Sequence, residues 1–282
     1  MPSADLAGGA GAAPERETQI YPASSENEAV SILTWNIEWL GDDSNGPVDE
    51  ERQLALAVET LGFANADIVG LQEISSAASA ERLASALSGY ALELAHYEQR
   101  QKVAVLYRRA SLELLELTAI EDLDDAGRPP LEARLRTAAG RELSVIVLHA
   151  KAGDDPRSYQ TRVRFAEGLS AYLQAQHARD DLIVLGDFND LFMSSTLGGA
   201  KSPYGPLTAS GAFVAVTAVL ETGVERSTKW GSTLDHIVLS RSLAAGVVDD
   251  SVETLRDELL ARHADFFEAA SDHAPVMLEL TL

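Results

Sequence analysis

At 282 residues the chain is long enough for one large domain, and a globule of that size buries roughly 75% of the surface its unfolded form exposes. It contains no cysteine, which excludes disulfides and thiolate metal sites, and no apolar run approaches the ~18 residues of a membrane span. Forty-four acidic against 22 basic residues, only four of them lysine, give a formal charge of −22. Such a surface repels nucleic acid and anionic membrane on average, so a polyanionic substrate would have to be met locally by arginines and bound cations.

Residues 1–28 are rich in Ala, Gly, Ser, Pro and Glu without apolar periodicity, and read as a disordered leader or tether. They hold neither a basic n-region nor an apolar h-region, so they are not an intact signal peptide. Residues 29–282 read as a single domain. Short apolar, often β-branched runs predict buried strands at 30–35, 68–71, 103–107, 143–148, 182–185, 236–239 and 276–280. Runs at 112–117 and 132–135 predict further strands in a meander. Helical spacing predicts helices at 49–64, 79–88, 157–178 and 254–268, with Leu54, Val58 and Leu61 marking the apolar face of the first. Seven or more strands with helices outside predict a two-sheet α/β sandwich rather than a barrel. No repeat of fixed period is visible, although a pseudo-symmetric pair of halves fits the pattern.

Polar residues that are expensive to bury cluster at the ends of these strands. Asn36 and Glu38 follow the first strand, Gln72 and Glu73 the second, His149 and Lys151 the 143–148 strand. Asp187 and Asn189 follow 182–185, Asp235 and His236 open the next strand, and Asp272 with His273 precedes the last. One such carboxylate is usually a solvated cap, but six such events in one chain point to a site, since strand ends on a rigid scaffold are where chemistry is placed. Hard oxygen donors from Asn, Asp and Glu suit Mg²⁺, Mn²⁺ or Ca²⁺. A cation of that kind beside histidines suits phosphoester hydrolysis.

The segments TWNIEW (34–39), IVGLQEI (68–74), HAKAG (149–153), IVLGDFND (183–190), LDHIVLS (234–240) and SDHAPV (271–276) resemble, in order, the motif series of the endonuclease/exonuclease/phosphatase superfamily. The resemblance covers nearly the whole chain outside the leader and implies a four-layer α/β/β/α sandwich of two mixed sheets. Carried over residue by residue, it implies Glu73 as the principal metal-ligand carboxylate with Asn36 and Asp272 beside it. It implies Asp187 and Asn189 as the pair orienting the attacking water, a second metal or the phosphate, and His273 as the imidazole near the scissile phosphate. Asp235 then holds that imidazole in one tautomer. His149 places the chain in the DNase-I-like histidine branch rather than with the exonuclease III type, which has asparagine there. Arg128 resembles the arginine that holds substrate phosphate in that branch; the alternative is a solvated loop arginine before Pro129. Where DNase I has a glutamate partner for its strand-end histidine, the nearest match is the neutral Gln101. His236 stands where the family more often has Tyr or Arg, and is expected at the surface without a catalytic role. Arg162 and Arg164, on the helix after HAKAG, are expected on the helix surface, the alternative being that one of them faces the phosphate path. Trp35 is expected in the core; Trp39 and Trp230 are expected to pack, the alternative being that they line the site mouth and stack a base.

The function this resemblance implies is a Mg²⁺-dependent nuclease cleaving DNA, and RNA as an extension, with low sequence preference. A phosphatase or phospholipase-type phosphodiesterase on an inositol phosphate, sphingomyelin or another small phosphoester is the alternative. The expected partner is the nucleic acid substrate alone, the expected state a monomer, and a secreted or periplasmic location is favoured over a cytoplasmic one.

Overall fold

The computed structural model describes residues 28–124, 126–177, 180–224 and 226–282, so the expected leader lies, Glu28 apart, outside the described residues. Two six-stranded sheets face each other. From edge to edge the first holds β11 (Glu253–Thr254), β12 (Val276–Thr281), β1 (Ala29–Leu40), β2 (Ile68–Ile74), β4 (Lys102–Arg108) and β3 (Tyr90–Leu94). The second holds β5 (Leu112–Ala119), β6 (Leu131–Thr137), β7 (Glu142–His149), β8 (Leu182–Asp187), β10 (Asp235–Ser240) and β9 (Phe213–Ala215). Helices α1 (Glu50–Ala64), α2 (Ala77–Ala86), α6 (Arg256–Arg262) and α7 (Phe266–Ala269) cover the outer face of the first sheet. The long α3 (Pro156–Gln176) and short α4 (Gly205–Thr208) cover the second, while α5 (Arg241–Ala244) turns the chain after β10. Separate apolar clusters fill the space between the sheets and beneath each helical layer, which is the expected four-layer sandwich. No helix among the described residues is long and apolar enough to cross a membrane.

Both sheets carry the same pairing order. Read from β3 and from β5, neighbours are antiparallel, antiparallel, parallel, antiparallel and antiparallel. The halves are thus alike, as the sequence allowed. At the centre of each sheet the parallel pairs β1–β2 and β7–β8 end on one edge. Because β10 runs antiparallel to β8 and β12 to β1, the starts of β10 and β12 reach that same edge. Six polar strand ends therefore meet in space. Gly70 lets the sheets come close there, since a Cβ would stand 2.7 Å from Leu185 Cδ1. Gly186 (φ 151°) is obligatory for a different reason: a Cβ would lie 2.0 Å from the Leu148 carbonyl oxygen.

Several expectations need correction. The strands β3, β9 and β11 were absent from the pattern because they are short edge strands. The helix expected over 254–268 is two short ones, separated by an extended residue at His263 (φ −135°, ψ 95°). In α1 the buried face runs through Gln53, Leu56, Ala57, Thr60 and Leu61, and Leu54 and Val58 are only partly buried beside it. The polar Gln53 is drawn inside by hydrogen bonds from its amide to three backbone carbonyls, of Ile37, Glu38 and Ala270.

The largest correction concerns Arg162, which is fully buried (0% exposed), whereas Arg164 is exposed as expected. Its guanidinium pairs with the equally buried Asp190, at 2.9 and 2.8 Å. It also donates to the carbonyls of Lys151 and Gly153, both at 2.7 Å. Asp190 in turn accepts from Thr196 N–H at 2.7 Å and Leu191 N–H at 2.9 Å. One ion pair thus anchors the loops that follow β7 and β8. Removing one partner of such a pair leaves a buried charge uncompensated, at a cost of about 3–5 kcal/mol. Arg162→Leu should lose stability on that scale in urea unfolding, and Arg164→Leu should stay within about 0.5 kcal/mol of the parent. Equal, small effects of the two would show that the buried pair does not anchor the loops.

Candidate active site

The parallel strands do not simply stop at the site edge. Both members of the β1–β2 pair are bulged, with register shifts between Asn36 and Leu40 and between Leu71 and Ile74. Bulges re-aim side chains, and here they carry Glu38 (φ 43°), Trp39 (φ 54°) and Glu73 (φ 65°) in the left-handed region. Asn189 (φ 52°) after β8 is the fourth such residue in the site. Left-handed backbone at non-glycine residues typically costs about 1–3 kcal/mol each and clusters where function requires it.

An open cleft of about 560 Å³ collects Asn36, Glu38, Glu73, Arg128, His149, Asp187, Asn189, Asp272 and His273, with Trp39 and Trp230 among its further walls. Asp235 lies beneath it. All the residues that the sequence nominated therefore come together. Asn36 bridges the two sheets, its amide nitrogen donating to Glu73 at 3.0 Å and to Asp187 at 3.1 Å. Its oxygen accepts from Glu38 N–H at 2.9 Å. Asp187 also accepts from the backbone and side-chain N–H groups of Asn189, at 2.8 and 3.0 Å.

The two site imidazoles are driven in opposite directions. Burial lowers the His149 pKa well below its usual value, and Arg128, His273 and Lys151 add to the effect. Burial would lower His273 too, but Asp235 at 2.7 Å from Nδ1, with Asp187 and Asp272 nearby, lifts it well above the usual value. His149 is therefore neutral at neutral pH and His273 cationic. The carboxylates are crowded. Burial, with Asp272 beside it, pushes Glu38 up to about 7. Burial raises Glu73 as well and takes Asp187 to about 7.

This donor set fits a hard divalent cation, because it is oxygen-only and burial disfavours the charged forms of Glu38 and Glu73, a cost that a cation would relieve. Glu73, Asp272 and Glu38 would hold it, with Asn36 if its amide turns. A second group, Asp187, Asp235 and His273, has atoms all within 4.8 Å of one another. Two of its three members, Asp235 and His273, already form an ion pair. Glu38 was noticed at its strand end but given no role; its place two residues after Asn36 was the available signal, and the bulge that swings it inward was not legible.

Four expectations change here. His236 is not at the surface but fully buried (0% exposed), packed edge-on to Phe188 and Phe192 with Thr217 Oγ1 3.2 Å from Nδ1. Burial lowers its pKa to about 4, and it has no place in the cleft. Trp230 does not pack inside; it is 65% exposed on the cleft lip, edge-on to His273. Arg128 is no solvated loop residue, being 6% exposed. Gln101 does not partner His149 directly, because its Oε1 accepts from Arg128 at 2.6 Å.

A two-sheet sandwich with buried carboxylates and paired imidazoles at one sheet edge defines a class of phosphoester hydrolases. A family profile matches residues 33–273, and the chain belongs to the endonuclease/exonuclease/phosphatase family. Members hydrolyse phosphoesters and typically use a divalent metal. No curated protein matches the sequence. Among solved structures, TDP2 of D. rerio in complex with a single-strand DNA product is similar at 17% identity, with a TM-score of 0.67 over 89% of this chain and 98% of that one. The 3′ phosphatase NExo from Neisseria, bound to a product DNA hairpin, matches at 18% identity, with a TM-score of 0.65 over 89% and 99%. A mannosyl-6-phosphatase of Bacteroides thetaiotaomicron matches at 18% identity, with a TM-score of 0.64 over 90% and 100%. At such identities the likeness is one of fold.

The His273–Asp235 pair makes a direct prediction. A histidine whose folded pKa is raised adds stability that is fully present below the unfolded pKa and is lost as pH rises through the folded one. In Asp235→Asn the NMR titration midpoint of His273 should fall, and the stability gained on the acid side should shrink. An unchanged midpoint would remove Asp235 as the partner that keeps His273 charged.

Proposed function

We propose that the protein is a divalent-metal-dependent phosphodiesterase acting on nucleic acid, a nuclease with low sequence preference. The observation that carries this reading is the cleft itself, where oxygen donors on one wall face a cationic imidazole, a neutral imidazole and a near-neutral carboxylate. Glu73, Asp272, Glu38 and Asn36 would hold Mg²⁺, Mn²⁺ or Ca²⁺, which when bound stabilises charge on the phosphoryl and leaving oxygens. Asp187, poised near neutrality and oriented by Asn36 and Asn189, accepts the proton of the attacking water. His273, held charged by Asp235, stabilises the developing phosphoryl charge. Exposed Trp230 on the lip offers a π-face on which a base can stack, a contact that tolerates any sequence.

A second reading is favoured by the charge of −22. Many of the arginines outside the cleft are paired with carboxylates, among them Arg52–Asp265, Arg108–Asp67 and Arg141–Asp181, which leaves little basic surface for a long polyanion. A phosphatase or phospholipase-type phosphodiesterase on an inositol phosphate, sphingomyelin or another small phosphoester would need less of it. Incubation with plasmid DNA, RNA, bis-p-nitrophenyl phosphate, sphingomyelin and inositol phosphates, with and without Mg²⁺, separates the two. DNA cleavage is expected, with loss in EDTA and recovery on adding Mg²⁺ or Mn²⁺. Glu73→Gln should lower turnover by at least ~10²-fold with the fold intact, because it removes a formal charge from a hard-cation site at constant size. Turnover within tenfold of the parent at saturating Mg²⁺ would exclude Glu73 as a ligand, and hydrolysis confined to small phosphoesters would decide for the second reading.

A further inference from the structure

The one cleft residue whose surroundings do not suit the role its motif suggests is Arg128. An arginine that grips a substrate phosphate should present its N–H groups to the cleft. This guanidinium is almost wholly enclosed and faces protein acceptors instead. Its Nη1 donates to Gln101 Oε1 at 2.6 Å and its Nη2 to the Ala150 carbonyl at 3.2 Å. Its backbone N–H is held by Asp124 at 2.9 Å, which fixes the loop that delivers it. The Nε is buried and has no hydrogen-bond partner among the described residues. The remaining neighbour of Nη1 is His149 Nδ1, at 3.2 Å.

We infer that Arg128 is a positioning residue that fixes His149 as its Nε2–H tautomer, a neutral hydrogen-bond donor aimed into the cleft, rather than a contact to the substrate phosphate. A guanidinium has five N–H donors and no acceptor. Where it meets an imidazole nitrogen in hydrogen-bond geometry, that nitrogen must be the unprotonated one. The proton of His149 therefore sits on Nε2. That atom faces Glu73 Oε1 at 3.5 Å and Asp187 Oδ2 at 3.6 Å, longer than a good hydrogen bond to either. The N–H points between the two carboxylates, where an oxygen entering the cleft can accept it.

Gln101 supports the same assignment. A carboxylate at that position could claim an imidazole N–H and reverse the tautomer, whereas the neutral amide oxygen only orients the guanidinium. Burial and the charge of Arg128 then stand against an imidazolium at His149, with His273 and Lys151, the latter on the loop after β7, reinforcing them. The division of labour is sharp: His273 is the charged imidazole, His149 the neutral donor. Neither is the base, which leaves Asp187. The consequence for turnover rests on the reading of the cleft as a phosphoester site; the tautomer does not.

The test is a long-range ¹H–¹⁵N correlation spectrum of the histidine side chains in the full metal-free chain, with His149 assigned from the loss of its signals in His149→Gln. The expected pattern is an unprotonated, pyridine-like Nδ1 and a protonated, pyrrole-like Nε2. Arg128→Met should lose that pattern, and Arg128→Lys, which keeps a donor, should retain it. A proton on Nδ1 in the parent protein, or an unchanged pattern in Arg128→Met, overturns the assignment. If Arg128→Met fails to fold, the parent and Arg128→Lys spectra still decide. With bis-p-nitrophenyl phosphate, Arg128→Met should lower kcat about 10- to 100-fold, the usual scale for a residue that orients another. KM should stay within about twofold, and a raised KM at unchanged kcat would mean a direct substrate contact and refute the role. Absence of turnover in the parent protein would count against the proposed function alone, because the spectrum is read without substrate.

Discussion

The rest of the site depends on the cost of keeping several carboxylates together out of water. Burial and mutual repulsion disfavour their charged forms, and every neighbouring group is arranged in answer to that. Asn36 shares its amide between Glu73 and Asp187, Asn189 donates twice to Asp187, and His273 stands charged against Asp235. Glu38 and Asp187 nevertheless remain near neutrality, at about 7. The same excess of negative charge that favours proton uptake suits the divalent ion of the proposed function.

Holding that charge requires a rigid frame, and the fold supplies one by pairing two similar sheets. The central parallel pairs are buried on both faces, so their ends are fixed in position and height. The bulges in β1 and β2 then break the pleat where a regular strand would have turned Glu38 and Glu73 elsewhere. Beneath the second sheet's share of the site, the Arg162–Asp190 pair ties down both outgoing loops. Strain on the site side is thus set against a buried ionic anchor on the other.

Much of this was legible in the sequence, and what was not has specific physical causes. The interior strands were readable because their β-branched runs answer to burial on both faces, and the site residues because polar groups after such runs need a reason to be there. The edge strands β3, β9 and β11 were not, since runs of two to five residues carry little pattern. Arg162 and His236 were misplaced for a different reason. A side chain that is normally solvated gives no sequence signal when its partner, Asp190 or the Phe188–Phe192 pocket, is brought to it only by the fold. Trp230 erred the opposite way, an apolar residue left outside on the lip of the cleft. For Arg128 the sequence left a phosphate contact and a solvated loop open, and which atoms it meets depends on Gln101 and on the tautomer of His149, neither of which a motif fixes.

The central claim is that the proposed site binds a hard cation through carboxylates whose charged forms burial disfavours, and its most direct measurement is calorimetric titration of Mg²⁺ in paired buffers of different ionisation enthalpy. Carboxylates with raised pKa hold protons that an incoming cation must displace. Near pH 7, where Glu38 and Asp187 are about half protonated, binding should release roughly one proton. The affinity should rise as pH increases through that range and level off above it, as the same groups ionise beforehand. Binding without proton release, or an affinity indifferent to pH between the ordinary carboxylate range and neutrality, would contradict the account.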